Sequence, residues 1–153
     1  MVSIGKQTDY AARIVLHLAD AGRGRRVTAR SVAQSRLIPP AFVRRIVSRL
    51  SAAGIVSAVR GSGGGITLAR PAAAISLRDV VEAMEGPLSL NACVREPHAC
   101  PFSERCPVRG AWCDANRALS EHLGGVRFDA LARRLREGEK EETRSRMRKP
   151  RPR

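Results

Sequence analysis

Aromatic residues are scarce in this sequence: three phenylalanines, one tyrosine and one tryptophan, 3% of the chain. Binders of single-stranded nucleic acid stack successive bases on aromatic platforms, so that class is not expected. Carboxylates are also few, 14 against 28 Lys and Arg, which leaves a formal charge of +14. Such an excess favours a polyanionic partner, nucleic acid first and an anionic membrane surface second. None of the three histidines stands in a recognisable nucleophile–base arrangement, so no enzyme and no small-molecule substrate is expected. A long apolar run is missing from the start of the chain, where MVSIGKQTDYAAR meets a carboxylate and an arginine first. Neither a secretory signal nor a membrane span is expected there, and the expected location is a reducing cytoplasm. Cysteine is absent outside one stretch, 93–113, which holds all four.

What is present reads as a mainly helical chain. Its 153 residues suit one domain with a small appendage and are enough to bury a core. From Lys6 to about Asp20, apolar residues fall at Tyr10, Ala11, Ile14, Val15, Leu18 and Ala19, one face of a helix. Thr8 or Gln7 is expected near its start, and Asp9 is spaced to pair with Arg13. Thr28 caps a short second helix ending about Ser35, and Pro39–Pro40 open a third whose buried face is Phe42, Val43, Ile46, Val47, Leu50 and Ala53, stopped by Gly54. Short helix, tight turn and longer helix make a helix-turn-helix. Its outward side carries Arg44, Arg45, Ser48 and Arg49, residue types that reach guanine edges and phosphates in a major groove; the plain alternative is a solvated arginine-rich face.

Two short Ile/Val-rich runs, Ile55 to Arg60 and Ile66 to Ala69, flank Gly61-Ser62-Gly63-Gly64-Gly65. No Walker lysine follows and no helix opens from these glycines, which speaks against a phosphate-cradling loop. They read as the tip of a wing, with Arg60 and Ser62 placed for phosphates or a minor groove. Ser76 and Asp79 form a capping box for a helix ended by Gly86-Pro87. Pro107 then opens a long helix with an apolar stripe through Ala111, Trp112, Ala115, Ala118, Leu119 and Leu123, a candidate dimer seam or a face folded back on its own core. A short amphipathic segment, Phe128 to Leu135, precedes a basic tail with almost no apolar residues, expected to be disordered.

Cys93, Cys100, Cys106 and Cys113 are separated by six, five and six residues. Zinc knuckles place paired ligands two to four residues apart, so a small ion is a poor match to this spacing. Longer intervals, relieved by Pro97, Pro101 and Pro107, leave chain enough to wrap a larger object such as an iron–sulfur cluster. Buried free cysteines, a disulfide pair, or zinc in loose loops are the alternatives.

With these pieces in order, the chain resembles the IscR and NsrR family of bacterial winged-helix regulators up to about Leu135. The resemblance is carried by K-Q-T-D-Y-A near the start, A-G-I-V-S-A-V-R-G-S-G-G-G with L-A-R-P after it, I-S-L-R-D-V-V-E-A-M-E-G, and the spaced cysteines ending in C-P-V-R. It implies a homodimeric transcriptional regulator, most simply a repressor, that binds double-stranded promoter DNA and senses cluster status, redox state or nitric oxide. It also implies an iron–sulfur cluster, 2Fe–2S or 4Fe–4S, on Cys93, Cys100 and Cys106. The histidine that some members place three residues after the third cysteine is Arg109 here. The resemblance leaves a choice of fourth ligand: Asp9 matches the acidic ligand that other members supply from the partner subunit and is favoured, with Cys113 as the alternative. Arg44 stands where members often carry an acidic residue, so no operator sequence is transferred.

The organisation that follows is a winged helix-turn-helix over 1–86, a cysteine loop over 87–107, a dimerisation helix and short amphipathic helix over 108–136, and a tail over 137–153. Two rival functions remain at this point: a DNA-binding regulator whose cysteines form a zinc or thiol-redox site, and a small iron–sulfur electron-transfer or carrier protein.

Overall fold

The apolar positions of the first helix all meet protein. Ala11, Ile14 and Val15 are fully buried and Leu18 nearly so, in a helix α1 that runs Lys6–Ala21. The structure, a computed structural model, describes residues 4–61 and 63–148. After α1 come α2 (Ala29–Ser35), α3 (Pro40–Ala52), strands β1 (Val56–Val59) and β2 (Gly65–Leu68), α4 (Leu77–Glu85), α5 (Ala92–Arg95), α6 (Pro107–Gly125) and α7 (Phe128–Arg148). Helix α1 is the central post, packed on by α3, α4 and α7. The core joins its apolar face to Val43, Ile46 and Leu50 of α3, Val80 and Met84 of α4, and Phe128 of α7.

Both helices of the helix-turn-helix end in the same device. Ile38 N–H reaches back to Ala33 O (2.9 Å) and Leu37 N–H to Gln34 O; at the end of α3, Ile55 N–H reaches Leu50 O (2.9 Å) and Gly54 N–H reaches Ser51 O. This pairing satisfies the last carbonyls of a helix and requires a left-handed residue between. Gly54 takes that conformation at φ 66°, without strain, whereas Leu37 takes it at φ 51° with its side chain 84% exposed. The Thr28 hydroxyl caps α2 through Ser31 N–H at 3.1 Å, and the Ser76–Asp79 capping box is present in both directions.

Strands β1 and β2 pair antiparallel, Val56 opposite Leu68 and Val59 opposite Gly65. A Cβ at Gly64 would lie 2.3 Å from Val59 O and 2.8 Å from Gly61 O, so the wing turn admits only glycine there. Val27 pairs with Ile66 and extends this sheet by one bridge.

Three features add to the sequence reading or depart from it. The N-cap of α1 is Gly5, with no side-chain cap of its own, and Thr8 is buried inside the first turn at 3% exposure. Capping comes from another helix: Glu85 Oε1 at the end of α4 accepts Gly5 N–H at 2.9 Å and the Thr8 hydroxyl at 2.6 Å. Second, α7 is no short segment followed by a disordered tail. It continues as helix to Arg148, with the remaining tail residues 149–153 outside the described set. Its first turns are anchored by Phe128 and Ala132, each 1% exposed, and by Arg136 on Asp20 at 3.0 Å. Once nucleated on the core, a Glu-, Lys- and Arg-rich run of good helix formers propagates at little cost. Third, the core of the winged-helix unit also takes in chain beyond residue 86. The link after α6 returns to it through Leu77 N–H on Val126 O (2.9 Å) and Phe128 N–H on Ile75 O (3.1 Å), so Phe128 completes its core.

The Thr8 hydroxyl, more than the Gly5 amide, holds the Glu85 carboxyl below its ordinary value, and slight burial offsets this only in part. Burial alone would raise Asp79, but its bonds to the Ser76 amide and hydroxyl, with Arg70 and Arg127 nearby, leave it lowered. With native values below unfolded ones, the unfolded chain binds more protons in the acid range. The stabilisation is complete above the ordinary values of 4.5 for Glu85 and 3.8 for Asp79 and is lost as pH falls through the native ones. Thr8→Ala is expected to lower stability at neutral pH by about 1–2 kcal/mol, a few degrees of thermal midpoint. It is also expected to flatten the loss of midpoint between about pH 5 and pH 3, and calorimetry across that range that finds wild type and variant parallel would discount the tie.

Candidate nucleic-acid interface and cysteine loop

Helix α3 buries Val43, Ile46, Val47 and Leu50, which turns Arg44, Arg45, Ser48 and Arg49 outward, all exposed. A groove runs between this face and the wing. Its lining includes Arg44, Arg45, Ser48 and Arg49 from α3, Arg60 and Gly61 from the wing, and Thr28 and Ala29 at the start of α2, with no carboxylate among the lining residues. Five of the six residues singled out from the sequence therefore share one concavity; the sixth, Ser62, lies outside the described residues. Two contacts brace the elements on its flanks. Phe42, in the first turn of α3, meets Tyr10 of α1 edge-on at 5.9 Å between ring centres, and Arg26 Nη1 donates to Gly63 O at 3.0 Å, holding the wing turn.

Sequence reasoning missed Arg26, which it passed over as part of a loop. The available signal was Val27-Thr28 directly after a basic run, a strand-like residue before a cap. His17, on the polar face of α1 and too far along it to be favoured as a ligand, has a partner in the helix-turn-helix. Its Nδ1 accepts from Arg36 Nε at 3.2 Å, and burial, then the Arg36 charge, lowers its pKa against a smaller opposing effect of Asp20. Asp20 also faces Arg36 and Arg136, so the end of α1 ties the helix-turn-helix turn to α7.

Three of the cysteines lie in a loop built of α5 and a 3₁₀ turn, Pro97–Ala99, which packs on α6, and α6 in turn packs on α4. Cys93 is within α5, Cys100 ends the 3₁₀ turn, and Cys106 is the N-cap of α6, next to Pro107. Arg109 Nε donates to Cys93 O at 3.0 Å, which fastens α5 to the first turn of α6. Asn116 continues the fastening, accepting from Leu90 N–H and donating to Leu88 O. All four cysteines are free thiols of intermediate burial, which leaves the disulfide alternative without a pair.

Cys113 stands on α6 two turns beyond Cys106, about 10 Å along the axis at 1.5 Å per residue. Asp9 is exposed, and its Oδ2 is paired with Arg13 at 2.6 Å as the spacing predicts. Among the described residues no three His, Cys, Asp or Glu side chains converge on one point, so one chain by itself does not assemble the expected ligand set. The donor chemistry nonetheless fits an iron–sulfur cluster: three half-buried soft thiols bracket one loop. The hydroxyl of Ser103 within it is buried without a partner, an arrangement that costs about 1–3 kcal/mol unless an acceptor is supplied.

Helix α6 buries none of its residues within the chain. Cys113, Asn116, Ser120 and Leu123 turn inward, while Val108 (59% exposed) and Trp112 (41% exposed) lie on the open side with Ala111, Ala115 and Ala118. Arg78 of α4 donates to Ser120 at 3.2 Å and links this helix to the core.

The family model of Rrf2, described as an iron-dependent transcriptional regulator, matches residues 4–134. The chain belongs to the Rrf2 family. Rrf2 members are DNA-binding transcriptional regulators and not enzymes, and the chain is accordingly a transcriptional regulator. It is 33% identical over 129 residues to protein aau3 of Rhizobium meliloti, covering 84% of this chain and 83% of that one. Among solved structures it is similar to CymR, the global cysteine regulator of B. subtilis, at 26% identity and a TM-score of 0.70, over 86% of this chain and 97% of that one. It shares its fold with IscR of T. potens at 21% identity and a TM-score of 0.67, over 85% and 86%. Rrf2 regulators commonly dimerise. No described helix is long and apolar enough to cross a membrane.

The groove predicts how its arginines divide. Arg45→Ala is expected to weaken binding to a promoter duplex about ten- to a hundredfold, the range for a base-reading or close phosphate contact. Arg60→Ala is expected to reduce the slope of affinity against salt by about one. Fluorescence anisotropy over a salt series measures both, and wild-type affinity and slope in the two variants would move the interface elsewhere.

Proposed function

We propose that this regulator is a homodimer that holds an iron–sulfur cluster on Cys93, Cys100 and Cys106, and that the state of the cluster sets its grip on promoter DNA. The observation that carries this reading is the cysteine loop itself, three half-buried thiols fastened to the start of α6 through Arg109. The family's description as iron-dependent supports it. Asp9 of the partner subunit is the fourth ligand we favour. Cys113 stands too far along α6 from Cys106 to join it on one small cluster without unwinding the helix. The Asp9–Arg13 pair is about half exposed, and such a pair contributes under about 1 kcal/mol, so Asp9 is easily released. Carboxylate oxygen is also a harder donor than thiolate, which leaves the site open to exchange, as a sensor requires.

When bound, the cluster would supply a centre that iron loss, oxidation or nitric oxide destroys. The chain's own residues carry the consequence. Arg109 holds the loop to α6, Arg78 links α6 to α4, Glu85 of α4 caps α1, and Tyr10 of α1 braces Phe42 at the start of α3. A shift at the loop thus reaches the recognition helix through rigid elements. Paired recognition helices must span about 34 Å between half-sites, so a small change in their separation alters affinity strongly. Arg44, Arg45 and Ser48 would read bases, and Arg49, Arg60 and Ser62 would hold the backbone.

Anaerobic reconstitution with iron and sulfide, followed by visible absorbance and circular dichroism, tests the cluster. We expect a coloured wild type, a Cys113→Ala that loads normally and an Asp9→Ala whose cluster is labile. A colourless protein with stoichiometric zinc would leave a DNA-binding regulator with a zinc or thiol site instead.

The dimer has its own test. Trp112→Glu on the open stripe of α6 is expected to shift sedimentation to the monomer and make the cluster as labile as in Asp9→Ala. A dimeric variant would move the seam off α6.

A further inference from the structure

Between Cys100 and Cys106 the loop turns most of its side chains to water, Phe102 being 74% exposed and Pro101, Glu104 and Arg105 exposed too. The exceptions are the two cysteines at its ends, half-buried, and Ser103, at 7% exposure. Ser103 is fixed in that orientation by its backbone. Its N–H bonds Cys100 O at 3.1 Å, closing a turn on the cysteine, and Arg105 N–H bonds Phe102 O at 3.1 Å, closing the next. Its Oγ is buried and finds no acceptor among the described residues. Buried hydroxyls are nearly always bonded, so an orphan points to an acceptor supplied by something else. Within this loop the other side chains partly withdrawn from water are those of Cys100 and Cys106.

We propose that the Ser103 hydroxyl donates a hydrogen bond to a sulfur atom of the group held by Cys93, Cys100 and Cys106, and so sets how readily that group is reduced. This rests on the cluster reading given above. Serine is suited to the task because its hydroxyl turns freely about one bond, so a donor is presented to whichever sulfur, thiolate or sulfide, comes within reach. A donor to sulfur offsets negative charge, which favours the reduced, more negative state; hydrogen bonds of this kind are a main way in which proteins tune such centres. Ser103 is thus a positioning residue and no ligand. The structure makes a second demand on the empty chain. A hydroxyl without a partner there contributes no bond, so its removal leaves the unloaded fold no weaker.

Wild type, Ser103→Ala and Ser103→Thr are reconstituted anaerobically and titrated with dithionite in the presence of mediator dyes, and the unloaded proteins are melted in parallel. At a fixed potential the reduced-to-oxidised ratio is expected to fall about three- to tenfold in Ser103→Ala, tenfold being about 59 mV for one electron. Ser103→Thr is expected to restore it, and unloaded Ser103→Ala to melt no lower than wild type. A loaded Ser103→Ala with the wild-type ratio overturns this proposal and leaves the cluster reading standing. An unloaded Ser103→Ala that melts lower overturns it too, since the hydroxyl then has a partner in the protein. If Ser103→Ala fails to load, loading of Ser103→Thr supports the proposal and its failure overturns it. A wild type that takes up no iron and sulfide overturns both readings.

Discussion

One helix face organises this molecule. The stripe of Ala11, Ile14, Val15 and Leu18 on α1 is covered by α3, α4 and α7 together, and each fully buried aliphatic there contributes about 1.5–3 kcal/mol. No surface ion pair in the chain is comparable, since exposed pairs such as Asp9–Arg13 contribute under about 1 kcal/mol. The stripe therefore decides where the recognition helix stands, and the polar contacts around it refine the angle. Glu85 fixes the start of α1, and Asp20, through Arg36 and Arg136, fixes its end. Tyr10 on the flank meets Phe42 as α3 begins.

The excess positive charge is spent unevenly in space. The groove between α3 and the wing gathers Arg44, Arg45, Arg49 and Arg60 with no carboxylate on its walls, whereas the acidic residues Asp20, Asp79 and Glu85 are each engaged in holding helices together. On the proposed reading, a groove whose only charges are basic would attract any duplex through its phosphates, with strong salt dependence. On the same reading, discrimination among sequences would come from side chains on α3 placed towards base edges and from duplex shape. The wing turn, where Gly64 has no room for a Cβ, places Arg60 on the same groove.

The cysteine loop is the least self-sufficient part of the chain. Among the described residues it carries three thiols that do not converge and a buried hydroxyl without a partner, beside a 19-residue helix none of whose residues is fully buried. These are different kinds of incompleteness: missing ligand geometry, a missing acceptor, and an uncovered apolar face. A second subunit and a bound group would answer all of them at once, which favours the shared site over a zinc or thiol site confined to one chain.

Much was legible from residues alone because its causes are local. Pro39–Pro40, Gly54, Thr28, the Ser76–Asp79 box and Pro107 act within one helical turn, so the helix-turn-helix, the wing and the start of α6 stood where the spacing put them. The arginine face of α3 followed from helical periodicity once its apolar face was known. What escaped was long-range. Glu85 caps a helix that begins 80 residues earlier, Arg26 holds a wing turn 37 residues away, and α7 persists as helix because Phe128 and Ala132 dock in a core built from the other end of the chain. The sequence by itself determined the elements and their polarity, because capping, turn chemistry and periodicity are properties of neighbours. Only the tertiary structure decided which carboxylate caps which helix, which face of α6 is left open, and that the one inward hydroxyl of the cysteine loop has nothing to bond, because burial is a property of the whole fold.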